Sequence, residues 1–403
     1  MFHIPPTQID PRGLPPPIMA SEPGSFARHT MQVRVPAIVR ETSALNEFPA
    51  DMSNALENLA CEIESAAVQL LHEDTPDRVL WQEAWGDAAR AGRAWLDAPW
   101  YLAESYAYRR ILEATRYFQP GPWQGFDPFR AKKLTELRPH VAPRRVDITL
   151  RDLPADLRER FETLLYASLW GNRIDLSYAV SAQVGRAARL EDERVNLLVD
   201  DAGRVWDFLR LHPRCRAAII ADNAGTELLM DLALADFLLT SGLAARIDLH
   251  LKAQPFFVSD AMPQDMKAGL DALALGGDEA RALAERVRAH MADARLQLAT
   301  HWFYTTSLFY SQLPDDLRAE LAALDFAFVK GDANYRRLLG DAHWPPTAPF
   351  ERATSYFPSP FVALRALKAE IVAGLRQGQA EQLNQVDPQW RVNGKRGVVQ
   401  ARF

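Results

Sequence analysis

The 403-residue chain is short of the features that place a protein quickly. It has two cysteines, Cys61 and Cys215. That allows one disulfide at most, and neither residue lies in the Cys-x-x-Cys pair of a zinc site. Cys215, just ahead of an apolar run, reads as a buried, inert thiol. No apolar run approaches the ~18 residues that a membrane-spanning helix needs. The opening MFHIPPTQIDPRGLPPPIMA lacks the basic-then-apolar order of a secretory leader. The expectation is a cytoplasmic protein with no membrane partner. Positive charge is not in surplus either: 46 Lys and Arg face 52 Asp and Glu, a formal charge of −6. Nucleic-acid binding, which draws on a basic surface, is therefore not expected. The phosphate loops GxGxxG and GxxxxGK(S/T), the HExxH zinc helix and the GxSxG nucleophile elbow are all missing. A dinucleotide oxidoreductase, a P-loop kinase, a zinc protease and a serine hydrolase thus lose their signatures.

What is present is ordinary globular material, 48% hydrophobic and 24% charged. Residues 1–24 are rich in proline and read as an extended arm. Residues 25–135 read as a helical domain. A period near 3.6 opens at Asn54 and runs to Leu71. Thr75-Pro76-Asp77 reads as an N-cap with proline in the first turn, starting a helix that turns Trp81, Trp85 and Trp95 towards a partner. The stretch 103–117 is amphipathic and is broken at Gln119-Pro-Gly-Pro. From residue 136 to 403 short apolar runs alternate with helical ones. Ala217–Ala221, Arg246–Leu251, Leu324–Val329 and Gly397–Ala401 read as strands, and Glu227–Ser241 as a helix closed by Gly242. The fold class is therefore α/β: an α/β/α sandwich with a mostly parallel sheet, plus an all-helical N-terminal domain. Ligands in such sheets bind at the carboxyl ends of the strands.

Chemistry-bearing residues gather at those ends. Asp222-Asn223 come after one strand and before a helix. A carboxylate and an amide oxygen there can ligate a hard cation such as Mg²⁺ or Mn²⁺. A simple helix-capping turn is the competing reading. Asp260 sits at the end of an extended segment after the next strand and offers a second carboxylate, or a surface turn. Lys330-Gly331-Asp332-Ala333-Asn334-Tyr335-Arg336 ends a third strand in a loop that can bind phosphate and hydroxyl groups, or stand solvated. In FVALRALKAEIVAGL, Arg365 and Lys368 stand three apart on one face of an amphipathic helical run.

Several strings together carry a resemblance. They are Leu169-Trp-Gly-Asn172-Arg-Ile-Asp-Leu-Ser177, Asp222-Asn-Ala-Gly-Thr-Glu227-Leu, Lys252 with Phe257-Val-Ser-Asp260, Lys330-Gly-Asp332-Ala-Asn334-Tyr335-Arg336, Gly24-Ser-Phe-Ala27, and Trp390 with Asn393-Gly-Lys. In order and spacing the chain resembles the damage-control phosphatases, also described as acidic-residue methyltransferase-like proteins, over nearly its whole length. The resemblance implies a divalent metal (Mn, Mg, Co or Ni) held by Asp222, Asn223 and Asp260. It places Glu227 in the same pocket and makes Asp332, Asn334, Tyr335 and Arg336 a substrate loop. Asn172 joins the substrate-binding set, and Lys368 is the lysine that meets the phosphate. Two positions depart from the family pattern: Ala366 replaces threonine in Arg-Thr-x-Lys, and Thr226 replaces phenylalanine. The implied activity is hydrolysis of small phosphate esters, the family's proposed substrates being sugar phosphates such as fructose 1-phosphate and fructose 6-phosphate. Either a water attacks, with Asp260 or Glu227 as base, or Asp222 does, with Asp222 and Asp260 the catalytic pair. The alternatives are a protein carboxyl methyltransferase using S-adenosylmethionine and a non-catalytic protein that binds a phosphorylated metabolite.

Overall fold

The computed structural model describes residues 13–171 and 194–403. Among those residues the chain builds one seven-stranded sheet, ordered β1-β7-β6-β5-β2-β3-β4. The strands are β1 (Leu197–Asp200), β2 (Cys215–Ile220), β3 (Ala244–Leu251), β4 (Leu296–Thr300), β5 (Phe326–Lys330), β6 (Phe361–Ala366) and β7 (Gly397–Arg402). Every neighbouring pair is parallel except β6 with β7. Parallel strands are covered on both faces, so in sequence they read as short apolar runs rather than alternations. In space the period of two returns. Ala218, Ile220, Ala327, Val329, Phe361 and Ala363 face one core, and Ala217, Ile219, Phe326, Phe328, Val362 and Leu364 face the other.

The second core is closed by the helices Ala142–Arg151, Leu157–Leu169, Ala202–Leu211, Thr226–Thr240, Pro263–Ala274 and Asp278–Ala292. Thr226–Thr240 is apolar almost all round, TELLMDLALADFLLT, and runs buried through the middle of this layer. The first core joins its sheet face to the N-terminal helices Val35–Ala44, Ala50–Ser65, Arg78–Arg90 and Trp100–Ala114. Trp81, Trp85 and Trp95 pack around Tyr106 with ring centroids 5.2–5.7 Å apart. The end of the proline-rich segment lies against this body. Ile18 N–H donates to the Asp341 carbonyl at 2.9 Å and Trp100 N–H to the Ile18 carbonyl at 2.8 Å. No helix among the described residues is long and apolar enough to cross a membrane. Cys215 is buried, and burial pushes its thiol up to about 12.

Three local expectations need correction. The helix expected to run to Leu71 stops at Ser65, because the chain turns extended and Val68 N–H bonds the Arg93 carbonyl at 3.0 Å. Val68 and Leu71 are still buried, so the apolar period continued past the helix that it implied. Thr75 is not the N-cap and Pro76 is not in the first turn: the helix opens at Arg78, preceded by Asp77, which makes no side-chain cap. Its carboxylate instead takes Trp81 Nε1 at 3.0 Å and Arg109 Nε at 2.5 Å. The run 361–375 is no helix: residues 361–366 are β6, and Arg365 and Lys368 share no helical face. A strand buried on both faces has no polar alternation to distinguish it from a short apolar helix segment.

Candidate active site

Three strand ends converge where the strand order reverses. From β2 the chain moves outward through β3 to β4, then returns to place β5 on the other side of β2. The crevice at such a reversal is where open α/β sheets bind ligands. Asp222-Asn223 come after β2, Lys252 comes directly after β3, and β5 ends on Lys330. Backbone hydrogen bonds tie the first two regions together. Asn223 and Asp260 form an isolated antiparallel bridge, Ala261 N–H donates to the Asp222 carbonyl at 2.8 Å, and Ala224 N–H to the Ser259 carbonyl at 2.7 Å. The segment ahead of Asp260 is not extended, contrary to the sequence expectation. Phe257 and Val258 stand at φ 43° and 62°. Those left-handed residues fold the chain back on itself so that Asp260 returns to Asn223. For a β-branched valine that conformation is costly and persists only where its surroundings hold it.

Asp222, Asn223, Ser259 and Asp260 line a cavity of about 260 Å³ together with Asp332, Arg336 and Lys368. Phe26, Trp100, Tyr108 and Phe257 supply its aromatic walls. Gly331 makes the close approach of β5 possible: it stands at φ +84°, and a Cβ there would lie 2.0 Å from the Asp222 carboxyl carbon. Burial holds the Asp222 carboxyl well above the usual carboxylate range, and Glu227 and Asp260 push the same way against Lys252 and Lys368. Burial also raises Asp260, opposed chiefly by Lys252. Lys252 Nζ lies 3.2 Å from Asp260 Oδ2, yet that oxygen receives no well-directed hydrogen bond.

Among the described residues no three carboxylate, imidazole or thiolate groups converge as a ready-made metal cluster. What the site offers is two carboxylates and the Asn223 amide, all hard oxygen donors suited to a small divalent cation. Two carboxyls pushed up by burial, one of them also by its acidic neighbours and the other with an oxygen lacking a directed hydrogen bond, fit a site completed by a cation.

The other sequence-selected residues divide. Asp332 and Lys368 line the cavity, with Asp332 Oδ1 accepting Arg365 Nε at 2.7 Å and the Lys368 backbone N–H at 3.1 Å. Arg336 lines it too, but its charge is matched: Nε and Nη2 donate to Asp341 at 2.8 and 3.0 Å, and Nη1 to Glu104 at 2.7 Å. Residues 331–336 are not a loop. The helix Gly331–Leu338 starts directly at the strand end, and its turns send Asn334 and Tyr335 inward. Asn334 Nδ2 donates to the Lys330 carbonyl at 2.9 Å, and Tyr335 OH to Gln400 Oε1 at 2.8 Å. Glu227 stands behind Asn223 rather than in the cavity lining, accepting Asn223 Nδ2 at 2.9 Å and Lys330 Nζ at 2.9 Å. Asn172 lies outside the described residues, as does most of its motif.

Residues without an assigned role in the sequence reading fix the site's geometry. Lys252 Nζ donates to the Ala221 carbonyl at 3.0 Å besides meeting Asp260. Lys133 Nζ reaches the Asp260 carbonyl at 2.8 Å from the helical region. Ser259 Oγ donates to Asn223 Oδ1 at 2.5 Å. A lysine placed directly after an apolar strand, as in Leu251-Lys252 and Val329-Lys330, was the available signal, because a lysine buried there must meet an acid.

Comparison with known proteins agrees with the resemblance. The model of the damage-control phosphatase ARMT1-like domain matches residues 30–383. Damage-control phosphatase ARMT1 of Danio rerio is 33% identical over 97% of this chain and 98% of its own length. The protein of that name from Homo sapiens is 30% identical over 96% and 98%. A crystal structure of a DUF89 family protein from Pyrococcus horikoshii aligns at a TM-score of 0.49 and 14% identity over 93% of this chain and 98% of that one, too distant to bear on the site.

Proposed function

The chain belongs to the damage-control phosphatase ARMT1-like family, and from that premise we propose a metal-dependent phosphomonoester hydrolase acting on small sugar phosphates such as fructose 1-phosphate or fructose 6-phosphate. Phosphatase chemistry in metabolite repair comes with the family; the metal, the esters and the residue roles are the proposed part. The observation that carries it is the pair of buried carboxylates, Asp222 and Asp260, opening with the Asn223 amide onto a cavity of about 260 Å³ that also holds Lys368.

Asp222, Asn223 and Asp260 would hold the cation, which when bound supplies charge neutralisation and polarises a phosphoryl oxygen. The chain's own residues prepare for this. Lys252 holds Asp260 at 3.2 Å. Glu227 and Asp222 both take the Asn223 Nδ2 hydrogens, at 2.9 and 2.6 Å, which fixes the amide with Oδ1 towards Ser259. Lys368, its backbone anchored on Asp332, brings a positive charge to the cavity where phosphate oxygens need one. A water attacking phosphorus can pass its proton to one of the paired carboxylates. Attack by the Asp222 carboxylate instead would form a phospho-enzyme, and solvent-oxygen labelling in a single turnover separates the two routes.

The test is phosphate release from a panel of sugar phosphates, with Mg²⁺, Mn²⁺, Co²⁺ or Ni²⁺ restored after chelation. Metal-dependent release from at least one hexose phosphate is expected. No release with any of the four metals would overturn the reading.

A further inference from the structure

An anion entering this cavity meets a floor of carboxylates, so its binding depends on cations not already matched. Among the described residues the lining contains three cations, Arg34, Arg336 and Lys368. Arg336 is held by Asp341 and Glu104. Arg34 and Lys368 form no ion pair among the described residues. Lys368 comes from beyond β6. Arg34 comes from the N-terminal helical layer, at the end of a single π-helical turn, Thr30–Arg34, set between the short helix Phe26–His29 and Val35–Ala44.

That turn is a specific device. A π turn inserts one extra residue into a helix, and such turns are frequent at functional sites. Here it delivers an exposed arginine whose guanidinium lies 5.0 Å from the centroid of the Phe26 ring, itself part of the cavity wall. Stacking on a ring face restrains the guanidinium while its N–H edge stays available as a planar fork, the geometry that matches two oxygens of a phosphate.

Resting on the phosphatase reading above, we propose that Arg34 is a substrate-binding residue that contacts the phosphoryl oxygens together with Lys368, so that the helical layer contributes part of the active site. The cavity that holds the two carboxylates then carries two positive charges that form no ion pair among the described residues, one from beyond β6 and one from the helical layer. Substrates are selected by their phosphate dianion rather than by hydroxyl groups alone.

The test compares Arg34→Gln and Arg34→Lys, with Arg28→Gln as a control on the preceding short helix Phe26–His29, outside the cavity. Calorimetric binding of inorganic phosphate to the metal-loaded full chain is measured alongside KM and kcat for fructose 1-phosphate and the melting temperature. Loss of a charge-assisted contact predicts about a tenfold or greater weakening of phosphate binding and a matching rise in KM for Arg34→Gln, with kcat changed less. Arg34→Lys should recover much of the affinity, and Arg28→Gln should bind as wild type. Unchanged phosphate affinity in Arg34→Gln would overturn the proposal, and so would a fall in melting temperature that Arg34→Lys shares without recovering affinity. If the wild type hydrolyses no ester with any metal, the phosphatase reading fails. Phosphate binding that is lost in Arg34→Gln alone would still support the contact, and a wild type that binds no phosphate would overturn it.

Discussion

Two buried acidic clusters lie back to back across Asn223, and they differ in what they face rather than in what they contain. The inner one sets Glu227 and Asp231 around Lys330, whose ammonium lies 2.9 Å from each and donates to the Ser168 carbonyl at 2.7 Å. The outer one sets Asp222 and Asp260 beside Lys252. Burial raises carboxyls in both: Asp231 is pushed up to about 6, against the pull of Lys330, and Asp222 and Asp260 are also raised. A raised carboxyl therefore reports burial before it reports catalysis. The inner cluster is sealed, and the Ser168 hydroxyl closes on Asp231 at 2.6 Å. Each cluster leaves one carboxylate oxygen without a directed hydrogen bond, Asp231 Oδ2 and Asp260 Oδ2, but of the two only the outer cluster borders the cavity.

That difference predicts opposite mutational signatures. Asp222→Asn should lower phosphate release by about a thousandfold or more, since it removes a proposed ligand at the reacting centre. It should leave the melting temperature unchanged or raised, because it relieves carboxylate crowding. A variant that unfolds, or that keeps its activity, would erase the distinction. Lys330→Met should do the reverse. Breaking a buried pair costs about 3–5 kcal/mol, so the denaturation midpoint should fall while the folded fraction keeps its KM. An unshifted midpoint would mean that the inner cluster is not the structural one.

The smallest effect concerns burial without a site. His250 is packed against Tyr304, which it meets at 2.9 Å, and burial lowers its pKa to about 4 despite Asp248 nearby. The folded state keeps this ring neutral, whereas the unfolded chain takes up a proton near the ordinary value of about 6.5. Stability should therefore be full above that value and fall as pH drops towards 4, by on the order of 3 kcal/mol if His250 acts alone. His250→Gln should flatten this acid limb in urea titrations at several pH values. An unchanged slope would assign the acid sensitivity to other groups.

Much of the scaffold was legible because it depends on local pattern. Ala217–Ala221 followed by Asp-Asn and an apolar helix reads as strand, turn, helix without any partner in view. The strand after it was just as clear. Residues 361–368 were not, since a strand covered on both faces loses the alternation that identifies strands. Arg365 made the run look amphipathic, although it is buried and donates to the Ala369 and Ile371 carbonyls. Arg336 and Lys368 could not be told apart by residue type. Only the folded chain shows that Asp341 and Glu104 match the first and that the second forms no ion pair among the described residues.

By itself the sequence determined the α/β order of elements, the family, and the acidic and amide residues that close β2 and the turn after β3, because short-range periodicity and motif spacing are properties of the chain alone. The tertiary structure decided which of those groups share a cavity, which cations are already matched, and that Arg34 arrives from the N-terminal helical layer. Burial, charge balance and access depend on residues hundreds of positions apart coming within a few ångströms of one another, and no local pattern encodes that distance.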